Sequence, residues 1–283
     1  MKIDKQRLVS RITRVAKDLD ISPHTAYPRF FFDCFLARLA SSPLREKYVL
    51  KGGLCLSSLV GIAKRSTLDI DFLLWNAALT HERTIGDMKE IAAMDIDDGV
   101  YFEYIMDKPI RQDDPYGGFG IQFMGRFPNI RQVFSIDIAT GDPMVPGPKL
   151  DEYDCLITGE KISLLRYPIE TFLAEKLETI LEKGVKNSRS KDFYDVYLLR
   201  KEFGFKIDAD LLKEAFSKTC AHRGFPQEPS LFERTLRDIR TNENQKARWA
   251  RFLPKSDYAT GISFEETADA VSFWLHLMGF DSL

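Results

Sequence analysis

The sequence predicts an α+β fold, with a mixed sheet and flanking helices in a first lobe and only helices in a second. Short segments rich in aromatic and β-branched residues, bounded by Gly, Pro and Asp, predict strands in the middle of the chain. They are residues 100–106, 120–124 and 132–139. From Pro168 onward the apolar residues recur with a helical period instead. The Pro- and Gly-rich segment PMVPGPK, residues 143–149, is typical of a joint. We therefore predict domains at residues 1–160 and 161–283.

The individual elements follow from apolar spacing and from turn residues. In the first lobe, helical spacing predicts helices at residues 3–19, from Pro28 to a stop at Ser41-Ser42-Pro43, at 54–62 and at 81–94. Residues 68–74 form a further predicted strand. The second lobe contains five predicted helices. They are residues 170–182, 191–201, 209–221, 231–238 and 264–278.

Composition narrows the class of protein. The 283 residues are 44% hydrophobic, enough for one large core or two modest ones, and the net charge of −2 offers no broad basic surface for nucleic acid. The four cysteines, Cys34, Cys55, Cys155 and Cys220, form no CxxC pair, which favours reduced, buried thiols. The N-terminal segment is charged and lacks an apolar signal core, and no stretch approaches the roughly 18 apolar residues of a membrane span. We expect a cytoplasmic protein.

Two aspartates stand where a buried strand is predicted. Side chains alternate along a strand, so Asp69 and Asp71 point to one face, and Asp137 on the strand at 132–139 also points away from its apolar neighbours. If the two strands are neighbours, three carboxylates converge. Such carboxylates repel each other unless a cation neutralises them, and hard oxygen ligands suit Mg²⁺ or Mn²⁺. The sequence therefore predicts a divalent metal site, although an Asp-x-Asp pair is also found on solvated sheet edges.

Paired glycines precede this strand. A turn without Cβ atoms just before a helix lets backbone N–H groups approach a phosphate, and the helix N-terminus adds positive potential. Gly52 and Gly53 would form such a turn, and Ser66 or Thr67 would add a hydroxyl to the same phosphates. The combination favours a triphosphate bound beside the metal. Taken alone, a Gly-Gly pair is often only a turn.

A lysine and two further aspartates occupy the helical lobe. Lys176 lies beside the apolar stripe of its helix, where it either covers the core with its stem or places its ammonium against a phosphate. Asp192 and Asp195 are three residues apart and therefore share one helix face. Their place in the first helical turn suits the helix dipole, which by itself would explain them. Periodicity does not decide between these interpretations.

Two groups of basic residues offer candidate contacts to the phosphates of a nucleic acid. One group lies near the strands and the other is a basic–aromatic run in the tail. The first group is Arg111, Arg126 and Arg131, and the second is Lys246, Arg248, Trp249 and Arg251. Either group would neutralise phosphates, and Trp249 would stack on a base. The alternative is a solvated helix face with one contact to the core.

The chain resembles the AbiEii/AbiGii toxin family, a branch of the polymerase-β-like nucleotidyltransferases. The first family motif is KGG, a helix, then Arg-x-Ser/Thr-x-Asp-x-Asp, and here it reads KGG at 51–53 and RSTLDID at 65–71. The second, a strand Asp followed by Gly-Asp, reads DIATGD at 137–142. The third reads AEK at 174–176 and RSKDFYD at 189–195. The family often has Thr or Ser after the glycines, where this chain has Leu.

The resemblance implies a function and partners. It implies an NTP-dependent nucleotidyltransferase toxin of a toxin–antitoxin or phage-defence system, which transfers a nucleotide to an acceptor, foremost the 3′ end of tRNA. The expected partners are this RNA and a cognate antitoxin that is a DNA-binding regulator, and the expected cofactor is Mg²⁺ or Mn²⁺. Alternatives are a metal-dependent nuclease, a transferase that modifies a protein or small-molecule hydroxyl, and a regulator that binds a nucleotide without catalysis.

The resemblance also implies roles for individual residues. The metal ligands would be Asp69, Asp71 and Asp137. The triphosphate would be bound by Gly52, Gly53, Ser66, Thr67 and Lys176. The catalytic residues would be these three aspartates together with Lys176 and Asp192. Lys176 would neutralise the leaving pyrophosphate, and Asp192 would orient Lys176 or contact the nucleotide. No role is assigned to Asp142 or Asp195.

Overall fold

The computed structural model describes residues 5–111 and 117–280. The predicted α+β fold is confirmed, because a seven-stranded mixed sheet with flanking helices is followed along the chain by helices. Contacts divide the chain into two compact units. The first is Met1–Gly141 with Pro148–Tyr167, and the second is Asp142–Gly147 with Pro168–Leu283. The predicted domains, residues 1–160 and 161–283, stay a prediction.

The sheet of the first unit has the strand order β3-β4-β5-β2-β1-β7-β6. Its strands are β1 (Tyr48–Lys51), β2 (Asp69–Leu74), β3 (Tyr101–Ile110), β4 (Gly118–Phe127), β5 (Ile130–Ala139), β6 (Lys149–Asp154) and β7 (Lys161–Arg166). The pairs β2–β5 and β1–β7 are parallel, and the other neighbours are antiparallel. Strands β1, β6 and β7 were not predicted. The first is only four residues long, and β6 is largely charged and lies at the sheet edge.

Four helices accompany this sheet. They are α1 (Lys5–Asp18), α2 (Pro23–Ser41), α3 (Gly52–Val60) and α4 (His81–Ala93). The predicted start of α2 at Pro28 is wrong. The side chain of Ser22 accepts a hydrogen bond from the Thr25 N–H, and Pro23 occupies the first helical turn, so the start signal lies five residues earlier. Pro28 lies inside the helix.

The apolar face of the sheet forms the core of the first unit against α2. The ring of Phe35 lies 5.9 Å from that of Phe123 and 6.1 Å from that of Phe134, measured between centroids. Ile70 and Ile136, on neighbouring strands, are fully buried. Because side chains alternate, the residues between these apolar positions point to the opposite face of the sheet. Burial of one face thus fixes which way the aspartates of β2 and β5 point.

The second unit is helical. Its helices are α5 (Ile169–Lys183), α6 (Ser190–Phe203), α7 (Ala209–Arg223), α8 (Pro229–Thr241), α9 (Glu243–Phe252) and α10 (Phe264–Leu277). Of these, α9 was not predicted as a helix. The four cysteines are free and buried, as predicted. Within the described ranges, no helix combines the length and apolarity needed to cross a membrane.

Candidate active site

Two strands bring Asp71 and Asp137 together. Strands β2 and β5 are parallel neighbours, and their register places Asp71 opposite Asp137 and Asp69 opposite Ser135. The three carboxylates were expected to converge only if these two strands are neighbours, and the two strands do pair. Neighbouring strands lie about 4.8 Å apart, so carboxylates that face each other on one side of the sheet are within reach of a shared ion.

The electrostatics of Asp137 show how close this grouping is. Asp69 is exposed, whereas Asp71 and Asp137 are half-buried. Burial, and then the negative charges of Asp71 and Asp69, raise the pKa of Asp137 to about 6. Lys108 and Arg111 act in the opposite direction and lower this pKa. The charges of Asp71 and Asp69 therefore act on Asp137 from close by, and the two basic residues moderate their effect.

The glycine turn lies directly against Asp71. Strand β1 ends at Lys51, which is opposite Asp71 in the sheet, and α3 begins at Gly52. Gly52 has a φ of +66°, and a Cβ atom built on it would lie 2.7 Å from the Asp71 Cβ and closer still to its carboxyl group. Only glycine fits here, because the position needs both a left-handed backbone and the absence of a side chain. The start of α3 is thereby fixed beside the carboxylates.

The second glycine faces the segment that precedes β2. A Cβ atom on Gly53 would lie 3.0 Å from Thr67 Oγ1 and 3.4 Å from Arg65 Nη2. Arg65 is buried, and its Nη1 donates to the Ser66 carbonyl at 2.5 Å. The Lys51 side chain, which precedes α3, makes no capping hydrogen bond to the helix among the described residues. This arrangement combines backbone N–H groups, the Thr67 hydroxyl and a buried cation, which suits a phosphate.

Two lysines flank the carboxylates in the same lateral row of the sheet. The row runs Lys108 (β3), Gly120 (β4), Asp137 (β5), Asp71 (β2) and Lys51 (β1). Lys51 is buried, and its Nζ lies 4.8 Å from the ring centroid of Tyr167. Sequence reasoning assigned no role to Lys51, Arg65 or Lys108. For Lys108, the sequence did contain a signal, the Gly-x-Gly pair at 118–120 inside a strand-like segment. Glycines within a strand often mark a place where neighbouring groups approach the backbone closely.

The donor set fits a hard divalent cation. Asp69, Asp71 and Asp137 share one face of the sheet, and the pKa of Asp137 is raised; Mg²⁺ or Mn²⁺ would neutralise such a group of carboxylates. Across the described residues, however, no three or more His, Cys, Asp or Glu side chains are gathered as a preformed metal centre. Rotation about the aspartate χ angles is then needed for the oxygens to meet an ion at about 2.1 Å.

The helical unit contains a second group of aspartates. Lys176 on α5 places its Nζ 2.5 Å from Asp192 Oδ1 and 3.4 Å from Asp195 Oδ2, both on α6. The Arg189 Nε lies 3.2 Å from Asp192 Oδ2. Both aspartates have no exposed surface, and Lys176 is largely covered. Sequence spacing placed these two carboxylates on one helix face, and the structure adds the lysine that binds both.

The basic–aromatic run on α9 is mainly structural. Trp249 is 3% exposed and donates from Nε1 to the Ile262 carbonyl, so stacking on an RNA base is excluded for this conformation. Arg248 donates to the Val185 and Asn187 carbonyls at 2.9 and 3.1 Å. The interpretation as a helix face with a core contact is the better one. In the strand group, Arg126 pairs with Glu103 at 2.5 Å, whereas Arg131 is exposed.

Comparison with known proteins identifies a family to which the sequence is similar. The sequence model of the nucleotidyl transferase AbiEii toxin family, of type IV toxin–antitoxin systems, matches residues 34–270. Leu54, the departure from the family's usual Thr or Ser, is fully buried and contributes to the core. No sequence among curated proteins matches the chain.

Two crystal structures of Helicobacter pylori proteins share the fold. One was assigned as a nucleotidyltransferase; it is 16% identical with a TM-score of 0.50, and the match covers 92% of this chain and 96% of the other. The second, JHP933, is 17% identical with a TM-score of 0.50 over 91% and 93% of the chains. The family match carries the assignment: the chain belongs to the AbiEii family of nucleotidyltransferase toxins from type IV toxin–antitoxin systems.

Proposed function

We propose that this nucleotidyltransferase transfers a nucleotide from an NTP to the 3′ end of an RNA, tRNA foremost, in a reaction that depends on Mg²⁺ or Mn²⁺. The observation that carries the proposal is the register of β2 and β5, with Asp71 opposite Asp137 on the polar side of the sheet. The glycine turn against Asp71 supports a triphosphate at the same place. The RNA acceptor rests on the family resemblance.

Asp69, Asp71 and Asp137 would hold the metal. When bound, the ion would stabilise negative charge on the attacking and leaving oxygens. The raised pKa of Asp137 supports a cation here, because a positive charge would offset the burial, and then the charges of Asp71 and Asp69, that raise it. The three aspartates are therefore proposed as the metal ligands.

The start of α3 would bind the donor. Backbone N–H groups of Gly52 and Gly53 and the hydroxyl of Thr67 or Ser66 would donate hydrogen bonds to phosphate oxygens. The missing Cβ atoms let phosphates approach the backbone beside Asp71. Arg65, buried against this turn, would add a positive charge.

In the transfer step, the acceptor hydroxyl oxygen forms a bond to the α-phosphorus of the NTP. The bond from that phosphorus to the bridging oxygen breaks, and pyrophosphate leaves with the electron pair. The hydroxyl proton passes to the Asp137 carboxylate.

Lys176 and Asp192 keep the roles that the resemblance implies. Lys176 would neutralise charge on the leaving pyrophosphate, and Asp192 would orient its ammonium. The 2.5 Å contact between Lys176 Nζ and Asp192 Oδ1 supports the orienting role. The antitoxin partner implied by the family is proposed to be a DNA-binding regulator.

The test is incubation of the protein with each labelled NTP, Mg²⁺ and total RNA, followed by sequencing of RNA 3′ ends. We expect lengthened RNA, and a loss of at least 10³-fold in rate for Asp71→Asn, because catalysis here is mainly positioning and electrostatic stabilisation. The matched control is Asp154→Asn, which changes an exposed aspartate on β6.

Other outcomes would replace the proposal. Shortened RNA would indicate a metal-dependent nuclease. Label on a protein or small molecule would move the acceptor to those classes, and NTP binding without any product would indicate a regulator. Near-native activity of Asp71→Asn, or full activity in EDTA, would refute the proposed metal site.

A further inference from the structure

The two ends of the lateral row that contains Asp71 and Asp137 differ in their surroundings. At one end, the glycine turn at the start of α3 touches Asp71, which is the side of the donor phosphates in the proposed function. Asp137 comes next, and beyond it lie Gly120 and Lys108. In an in-line displacement the attacking hydroxyl and the leaving pyrophosphate lie on opposite sides of the phosphorus. The acceptor therefore approaches from the side of Asp137 and Lys108.

Gly120 allows Lys108 to lean toward Asp137. Strands β3 and β5 are separated by β4, so their residues lie about 10 Å apart across the sheet. A Cβ atom on Gly120 would lie 3.0 Å from Asp137 Oδ1 and 3.8 Å from Lys108 Cε. Both side chains thus come within 3.8 Å of one point, which a side chain at position 120 would occupy. The missing side chain lets the lysine stem and the carboxylate approach this point, which the Ile110 Cγ2 atom also borders at 3.2 Å.

The Lys108 ammonium is accessible and is not used elsewhere in the described part of the chain. The residue is exposed, and its ammonium forms no ion pair with a described carboxylate within 4 Å. Its neighbour Asp107 points to the other side of β3, where it bonds to Tyr104 and lies 2.7 Å from His81 Nε2. Lys108 is near enough to Asp137 to act on its charge. A compact ammonium in this position suits a phosphate.

We propose that Lys108 binds a backbone phosphate of a polynucleotide acceptor, next to the hydroxyl that attacks. This inference rests on the proposed function and deepens it, because it selects a phosphate-bearing acceptor over a hydroxyl of a protein or small molecule. The row then binds, in order, donor phosphates at Gly52, the reacting groups between Asp71 and Asp137, and the acceptor phosphate at Lys108. Lys108 acts as a binding residue for the acceptor.

The experiment measures binding of a labelled single-stranded RNA oligonucleotide with a free 3′ hydroxyl, as a function of salt, alongside NTP binding and transfer. Variants are Lys108→Met and Lys108→Arg, with Lys149→Met as the control. Lys149 is an exposed lysine on β6, at the far edge of the same sheet. Thermal unfolding of each variant checks that the fold is retained.

We expect Lys108→Met to weaken RNA binding by about tenfold and to reduce the salt slope by about one, as the loss of one phosphate contact does. NTP binding should stay within about twofold of wild type, and Lys108→Arg should retain most RNA affinity because it keeps the charge. Lys149→Met should match wild type. In transfer, KM for the oligonucleotide should rise about tenfold, with kcat little changed.

Several results would overturn the inference while leaving the transferase intact. RNA affinity and salt slope of Lys108→Met equal to wild type would mean that Lys108 only balances the charge of Asp137. Weaker NTP binding instead of weaker RNA binding would place Lys108 on the donor side. Transfer by the wild type to a protein or small molecule, without RNA binding, would also overturn it. Failure of transfer to every acceptor would refute the proposed function itself.

Discussion

The two units each contain a group of aspartates, and the groups differ in surroundings. On the sheet, Asp69 is exposed and Asp71 and Asp137 are half-buried, with their charges acting on one another. On α6, Asp192 and Asp195 are completely buried and share the Lys176 ammonium. Solvent therefore reaches the first group, whereas the second is closed off with a lysine of the chain bound to both carboxylates.

The two groups differ in how far water reaches their carboxylates. Like charges that stay near water cost less free energy than buried ones, because water screens their repulsion. Buried carboxylates need a permanent partner, since an uncompensated buried charge is strongly destabilising. Loss of charge should therefore affect mainly chemistry in the sheet group, and stability in addition to the proposed transfer role of Lys176 in the helical group.

The largest expected effect on stability concerns Lys176→Met. This change removes the cation between two buried carboxylates while keeping an apolar stem of similar length. We expect the free energy of unfolding to fall by about 3–5 kcal/mol, as for other buried pairs that lose one member. Denaturant unfolding followed by circular dichroism measures this.

The matched control is Lys183→Met, in the last turn of the same helix, where the lysine is exposed. Its expected effect is within about 0.5 kcal/mol. A loss below about 1 kcal/mol for Lys176→Met would show that the helical group does not depend on its lysine, and the contrast with the sheet group would disappear.

A smaller effect is expected for Gly52→Ala, compared with Gly61→Ala at the other end of α3. Both glycines have a positive φ, +66° and +93°, so backbone strain should cost each variant about 1–3 kcal/mol of stability, and Gly52→Ala should lose more because of its overlap with Asp71. A Cβ atom at Gly61 meets nothing within 4 Å, whereas one at Gly52 overlaps Asp71. We therefore expect only Gly52→Ala to reduce transfer, by about 10²-fold, because a displacement of about 1 Å has that effect.

Unfolding curves and transfer rates for the two glycine variants test this together. Equal activity of both variants would show that contact between the glycine turn and Asp71 does not matter for the site. Equal loss of activity would attribute the effect to strain in α3 as a whole.

Local patterns predicted the sheet group well. Alternation in DIDFLL and in VFSIDIA placed Asp69, Asp71 and Asp137 opposite apolar residues, because burial of one face leaves no other choice. The pairing of β2 with β5 could only be assumed, because these strands are far apart in sequence and a local pattern does not encode their register. Lys108 was missed for the same reason, because its approach to Asp137 depends on Gly120 of the strand between them.

The helical group was predicted only in part. Spacing put Asp192 and Asp195 on one face of a helix, but the match to Lys176 depends on how α5 meets α6, which periodicity does not give. Likewise, the run at 246–251 is basic in sequence, yet Arg248 binds backbone carbonyls and Trp249 is in the core. Tertiary contacts, not composition, decided the role of each charged residue.

The smallest expected effect is the pH dependence of stability caused by Asp137. Its pKa is raised from 3.8 to about 6 in the folded protein. The stability that the protonated carboxyl allows is complete below about pH 4 and is lost as pH rises through about 6. The side chain that Asp137→Asn introduces is neutral at every pH. In EDTA, the stability of this variant relative to wild type should therefore rise between pH 4 and 7, by about 1 kcal/mol after allowance for solvent screening.

Denaturant unfolding at several pH values measures the difference, and Asp154→Asn on β6 should give none. A flat difference for Asp137→Asn would mean that burial and the charges of Asp71 and Asp69 do not act on this carboxyl, and the sheet group would then have no electrostatic need for a cation.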